Sequence, residues 1–215
     1  MTAQRISFRM LAAMAVSLGL SACAGVSGDT APRGAADGVP QAAWPASLNI
    51  TAINVNVPRT LQVSEANRYY PGGDIVWRGD PIGDRHAQVE AIFREGASRG
   101  TKGMTSGAPV ILDIEVTRFH ALTEKARYST GGVHDINFSV SLRDAATGQA
   151  LSPPRQLQAD MKAFGGQAAI AADQRGETQK VRITAHLAEV IRADLTRPGS
   201  YQAENLGLMS VFDRY

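Results

Sequence analysis

The sequence predicts an α+β fold, a two-layer sandwich whose mainly antiparallel sheet carries helices on one face. Three observations predict it. Several runs alternate apolar with polar residues, two others repeat apolar residues at helical spacing, and the runs follow one another in the order β-α-β-β-β-α. The first run, LNITAINVNVP, alternates as Leu48, Ile50, Ala52 and then as Ile53, Val55, Val57. Its phase slips by one residue between Ala52 and Ile53, so this strand needs a bulge. Leu61 and Val63 continue it as a short extended piece, and the Gly- and Pro-rich stretch NRYYPGGDIVWRGDPIGD then reads as an ordered but irregular loop.

Asp84 is placed as the N-cap of a helix that carries Val89, Ile92, Phe93 and Gly96 or Ala97 on one face, with Gly100 as its stop. In PVILDIEVTRFHAL, Val110, Leu112, Ile114 and Val116 alternate with Asp113, Glu115 and Thr117, the pattern of a half-buried strand. A polar connection, TEKARYSTGG, leads to a second such strand in which Ile136, Phe138, Val140 and Leu142 alternate with polar residues. The two make an antiparallel hairpin with a long connection. After the turn DAATGQ a third strand is expected through Leu157, Ala159, Met161 and Ala163, completing a meander with one polar face. Ile183, Leu187, Val190 and Ile191 mark the buried face of a last helix from about Glu177 to Leu195 that covers the other side.

Upstream of the domain, residues 1–22 contain Arg5 and Arg9, no acidic residue, and an uncharged run from Met10 to Ala22, which is the shape of a secretory signal and too short to span a bilayer. Cys23 is the single cysteine of the chain. Residues 24–47 are rich in Ala, Gly, Pro and Ser and read as a flexible tether with a reach of roughly 27 Å. The organisation is therefore a signal over 1–22, Cys23 and its tether over 23–47, and one α+β domain over 48–215. The chain carries 22 Lys+Arg against 20 Asp+Glu, and Arg5 and Arg9 leave with the signal. What remains is balanced, with no electrostatic case for nucleic acid.

The stretch LSAC, Leu20 to Cys23, resembles a bacterial lipobox, and that resemblance implies cleavage before Cys23 and acylation of its sulfur and amino group. Two or more acyl chains give stable anchoring. Ala24 rather than an acidic residue after the cysteine implies, by resemblance to enteric sorting signals, the periplasmic face of the outer membrane. INVNVPRTL, DIVWRGDPIGDRHAQV, VTRFH and VSLRDAATGQAL are similar to stretches of the auxiliary lipoproteins of ABC-type lipid transport systems. SEANRYYPGGDIVWRGDP and RFHALTEKARYSTGGVHDINF resemble an uncharacterised family of alphaproteobacterial lipoproteins. Neither family supplies a catalytic residue.

Candidate chemistry is sparse. A hairpin symmetric about residue 127 sets His120 across from His134, with Glu124 and Asp135 near, a donor set of the kind that binds zinc. The spacing is no known metal signature, so neither metal nor cofactor is expected. Tyr69, Tyr70 and Trp77 either form a partner contact or pin the loop to the sheet, and Pro71, Gly72 and Gly73 favour a fixed backbone. RGD at Arg78–Asp80 reads as a tight turn, and HLAE at His186 lacks the second histidine of a zincin helix. Serine hydrolase, P-loop and dinucleotide fingerprints are absent from the sequence. The expectation is a non-enzymatic, lipid-anchored component of an envelope assembly that binds another envelope protein. The alternative is a small-ligand or lipid-handling module with an apolar groove between helices and sheet.

Overall fold

The computed structural model describes residues 45–203 and 206. The signal over 1–22, Cys23 and all but the last three residues of the tether lie outside the described residues. The elements are β1 (Leu48–Asn56), β2 (Ile75–Val76), α1 (Arg85–Gly100), β3 (Ala108–His120), α2 (Glu124–Arg127), β4 (Gly132–Asp144), β5 (Arg155–Gln158), β6 (Met161–Ala163), α3 (Gly166–Gln174) and α4 (Gln179–Thr196). They form the α+β architecture that the apolar periodicity predicts.

The long hairpin β3–β4 is the spine of the sheet. β1 and the short β2 both pair in parallel with β3, while β5 and β6 pair antiparallel with β4, giving the order β1-β3-β4-β5 along the main path. β1 joins β3 through α1, a βαβ crossover, because parallel strands need a connection long enough to reverse direction twice. The phase slip in β1 is a bulge, one residue earlier than the apolar pattern places it: Ile50 faces Val110 and Ala52 faces Ile111, so Thr51 is the extra residue.

Val110, Leu112, Ile114, Val116 and Phe119 of β3, with Ile136, Phe138, Val140 and Leu142 of β4, are buried under α1 and α4. α1 contributes Val89, Ile92, Phe93 and Ala97, and α4 contributes Ile183, Leu187, Val190, Ile191 and Leu195. Phe93 stands edge-on to Phe119 and Phe138, with ring centroids at 6.1 and 5.1 Å. The two helices approach closely because α1 presents glycines to α4. A Cβ on Gly96 would meet Leu187 Cβ at 2.9 Å, and one on Gly100 would meet the Ala188 carbonyl oxygen at 2.7 Å. Asp84 caps α1 as expected, its Oδ1 accepting from Ala87 N at 3.1 Å, and Thr178 caps α4. Arg59 beside Asp84 holds that carboxyl down at about 2.

The third meander strand is not continuous, which corrects the expectation over Leu157–Ala163. Ala159 N donates to Ile136 O at 2.8 Å, and Ile136 N donates to Asp160 Oδ1 at 3.0 Å. A side-chain carboxylate thus takes the hydrogen bond that a strand carbonyl would accept, and the run splits into β5 and β6.

The opposite face of the sheet is polar. Asn54 Nδ2 donates to Asp113 Oδ1 at 2.8 Å, Arg143 Nη2 donates to the same oxygen at 2.8 Å, and Asn56 Nδ2 donates to Glu115 Oε2 at 3.2 Å. An open groove of about 380 Å³ runs over Asn54, Asn56, Asp113, Glu115, Ser139 and Ser141. Between the helices and the sheet stand the fully buried side chains of Phe93, Phe119, Phe138, Leu187 and Ile191. Among the described residues no helix is long and apolar enough to cross a membrane.

Candidate functional site

β3 and β4 are in register about residue 127 from Val110 opposite Asp144 to Val116 opposite Phe138, as symmetry predicts. A bulge at Thr117 then shifts the register, so Arg118 faces Asn137 and His120 faces Asp135 rather than His134. Residues one apart on a strand point to opposite faces. The bulge therefore sends His120 to the polar face and His134 into the interior, where it is fully buried. The predicted pairing of His120 with His134 is corrected by that single inserted residue.

The other members of the set are engaged too. His120 Nε2 donates to the Gly73 carbonyl at 2.9 Å, and its Nδ1 faces Arg118 Nη2 at 3.4 Å. Burial and then the Arg118 charge push its pKa down. Asp135 pairs with Arg118, and Glu124 with Arg78. Among the described residues no group of three metal-ligating side chains converges.

The aromatic cluster divides. Trp77 is fully buried, edge-on to Phe119 at 5.7 Å, with Nε1 donating to Asp80 Oδ2 at 2.9 Å. It cannot touch a partner, so its place among the contact residues is corrected: it is the pin of the loop. Asp80 in turn accepts from Lys180 Nζ at 2.8 Å. Burial raises the Asp80 carboxyl, but Lys180 and Trp77 outweigh it and the net shift is downward. Gly79 lies against the Trp77 ring, where a Cβ would clash with the indole carbons, the nearest at 2.3 Å. The RGD tripeptide is thus consumed inside the protein. Arg78 pairs with Glu124 and Glu65, Gly79 makes room for Trp77, and Asp80 anchors Trp77 and Lys180.

Tyr69 and Tyr70 stay outside, 45% and 84% exposed. The loop carrying them is docked on α2, an element that four residues in a polar run did not announce. Thr123 Oγ1 donates to Arg68 O at 2.8 Å, and Lys125 N donates to Asn67 Oδ1 at 2.8 Å. Lys125 Nζ lies 4.8 Å from the centre of the Tyr69 ring, and Ser129 Oγ donates to Tyr69 Oη at 3.4 Å. Tyr128, next to Ser129, is half exposed. Below this surface Glu65 accepts from Arg85 Nε at 2.6 Å, and Arg85 is itself buried. That hydrogen bond first, and the Arg85 and Arg78 charges after it, lower the Glu65 carboxyl. Glu65 is neutralised by these arginines, and Arg68 and Lys125 stand as exposed cations near Tyr69, Tyr70 and Tyr128. The surface stands by the His120 end of β3, whereas the chain enters at Pro45 by the Ala108 end. Those ends are roughly 40 Å apart at about 3.3 Å per strand residue.

No curated protein matches the chain. Several solved structures resemble it weakly, three of which follow. A Xanthomonas campestris protein of family-model DUF330 is 13% identical over 71% of this chain and 87% of that one, with a TM-score of 0.39. A Caulobacter crescentus structure described as "a putative lipoprotein" is 20% identical over 67% of this chain and 87% of that one, with a TM-score of 0.32. A dodecamer of a PelC variant from Paraburkholderia phytofirmans is 13% identical over 66% of this chain and 91% of that one, with a TM-score of 0.27. A family model does match, over residues 48–211, so the chain belongs to the family of unknown function DUF6778.

Proposed function

We propose that the protein is a lipid-anchored, non-enzymatic binding component of a bacterial envelope assembly. One juxtaposition carries the reading. The segment bearing Cys23 in LSAC leads into the Pro45 end of the sheet, and exposed tyrosines stand at the other end with Arg68 and Lys125, two cations without a carboxylate partner among the described residues. Tyrosine and arginine are the residue types that most often dominate protein contacts, and a loop held by α2 loses little entropy on binding. The exposed cations favour an acidic segment of a partner protein. By the same proposal the anchor sits in the outer membrane facing the periplasm, and the similarity to transport auxiliary lipoproteins makes a transport system the assembly to examine.

Two tests follow. Cys23→Ala is expected to move the protein from the membrane to the soluble fraction; retention in membranes after a high-salt wash would remove the anchor. A photoreactive residue in place of Tyr70, in the full chain in its own membranes, is expected to give a discrete protein adduct. Combined Arg68→Glu and Lys125→Glu should cut its yield at least tenfold. An adduct with lipid alone, or one indifferent to the charge reversal, overturns the partner reading.

A further inference from the structure

A second polar site lies inside the protein and is independent of the surface just described. His134, on β4 opposite Met161, is completely buried, and among the described residues neither of its ring nitrogens has a hydrogen-bond partner. Buried imidazole nitrogens are rarely left so, because the desolvation cost is not recovered. The ring borders a small cavity of about 10 Å³ lined by Arg127 of α2, Phe164, Ala169 and Ala172 of α3, Glu177, and Gln179 and Arg182 of α4. Gln179 donates Nε2 to Leu122 O at 3.4 Å and leaves its Oε1 buried and unpartnered. Two orphaned side chains from different elements thus meet at one cavity of roughly the volume that a single water needs.

The surrounding groups select the occupant. The lining offers a cation no unpaired carboxylate, since Glu177 accepts from Arg175 Nη2 at 2.8 Å, while Arg127, paired with Asp173, and Arg182, donating to Lys162 O at 2.9 Å and lying over the Phe164 ring at 3.7 Å, bring positive charge. An anion would face the Gln179 oxygen, which has only lone pairs to offer. Burial first, then the charges of Arg182, Arg127 and His186, keep the His134 ring neutral, so it brings one N–H and one bare nitrogen. A ligand that both donates and accepts, carries no charge and has one heavy atom meets all of these demands.

We propose that His134 and Gln179 hold one internal water molecule that ties β4 to the start of α4 beneath α3. The water donates to Gln179 Oε1 and completes the imidazole with its remaining hydrogen or its lone pair, according to the ring tautomer.

The test is the sign of a stability change in the full chain purified in detergent at pH 7. His134→Phe keeps an aromatic ring but leaves the water and Gln179 Oε1 short of a partner, so Tm is expected to fall by roughly 3–8 °C. Adding Gln179→Leu removes the other polar partner, and most of the loss is expected to return. A dry cavity predicts the reverse, since an apolar ring would then replace an unpartnered one, and an unchanged or raised Tm overturns the proposal. Should His134→Phe fail to fold, cross-relaxation between the His134 ring protons and a long-lived water in the unsubstituted protein decides the matter. Its presence supports the site and its absence overturns it.

Discussion

Acidification is expected to weaken the domain from about pH 6.5 downward, well before its carboxylates begin to protonate. His134 is the cause. Its pKa is 6.5 in the unfolded chain and is pushed down to about 3 in the folded one, by burial first and then by Arg182, Arg127 and His186. Between those values the unfolded state binds a proton that the folded state refuses, so the unfolding free energy falls by about 1.4 kcal/mol per pH unit, roughly 5 kcal/mol in all. His120 acts in the same direction and to a smaller degree, since it is only partly buried. The carboxylates form a separate, lower limb. Glu65, Asp84, Asp113 and Glu177 are held below their ordinary values, Asp84 at about 2, so the stability they contribute is present near neutrality and is lost as pH falls through about 4 toward 2. Urea denaturation at a series of pH values reads both limbs. His134→Phe is expected to flatten the curve between pH 6.5 and 4.5 while leaving the lower limb, and persistence of the upper limb in that variant would falsify the assignment.

Trp77→Ala is expected to cost about 3–5 kcal/mol, enough to leave a domain of ordinary stability partly unfolded at 37 °C. The indole is fully buried, packs edge-on against Phe119, and joins Asp80 and Lys180 in one chain of hydrogen bonds. Its removal opens a cavity and strips a partly buried carboxylate of one donor, two penalties that act together. Tyr70→Ala, by contrast, is expected to change stability by no more than about 0.5 kcal/mol, because that side chain is 84% exposed. Thermal and chemical denaturation of the two variants side by side checks the division of the aromatic cluster into a pin and a contact. Comparable losses in both, or none in either, would contradict it.

The separation of those aromatics was in principle legible. The signal is the unbroken apolar run of Ile75, Val76 and Trp77, all three fully buried, rather than an alternation. Two strand residues are simply too short a run to stand out against the Gly- and Pro-rich loop. The longer elements were readable because one buried face recurs through them: β3 and β4 by alternation, α1 and α4 by helical spacing. α3 was missed because its buried residues are only Ala169 and Ala172, which give a weak apolar stripe. Registers were predictable until a residue was inserted. The hairpin kept its centre for seven pairs, and the Thr117 bulge then reassigned the face of everything beyond it, the candidate histidines included. A bulge costs the pattern one residue and changes which side chains meet, and local composition does not announce it. The internal site around His134 depends on α2, α3, α4 and β4 arriving at one place, information that no segment holds alone.

The parallel pairing of β1 with β3 also sets an order of assembly. Each β1 residue waits for a partner about 60 positions later, whereas the β3–β4 hairpin closes across a much shorter connection. Loop closure over the longer separation is entropically dearer, so the hairpin is the natural nucleus and β1 joins it later. Among the described strands, the one synthesised first is thus paired after the hairpin has formed. Until β3 exists, the stretch from Leu48 to Asn56 has no partner, and its Asn49, Thr51, Asn54 and Asn56 keep an otherwise exposed template soluble while it waits.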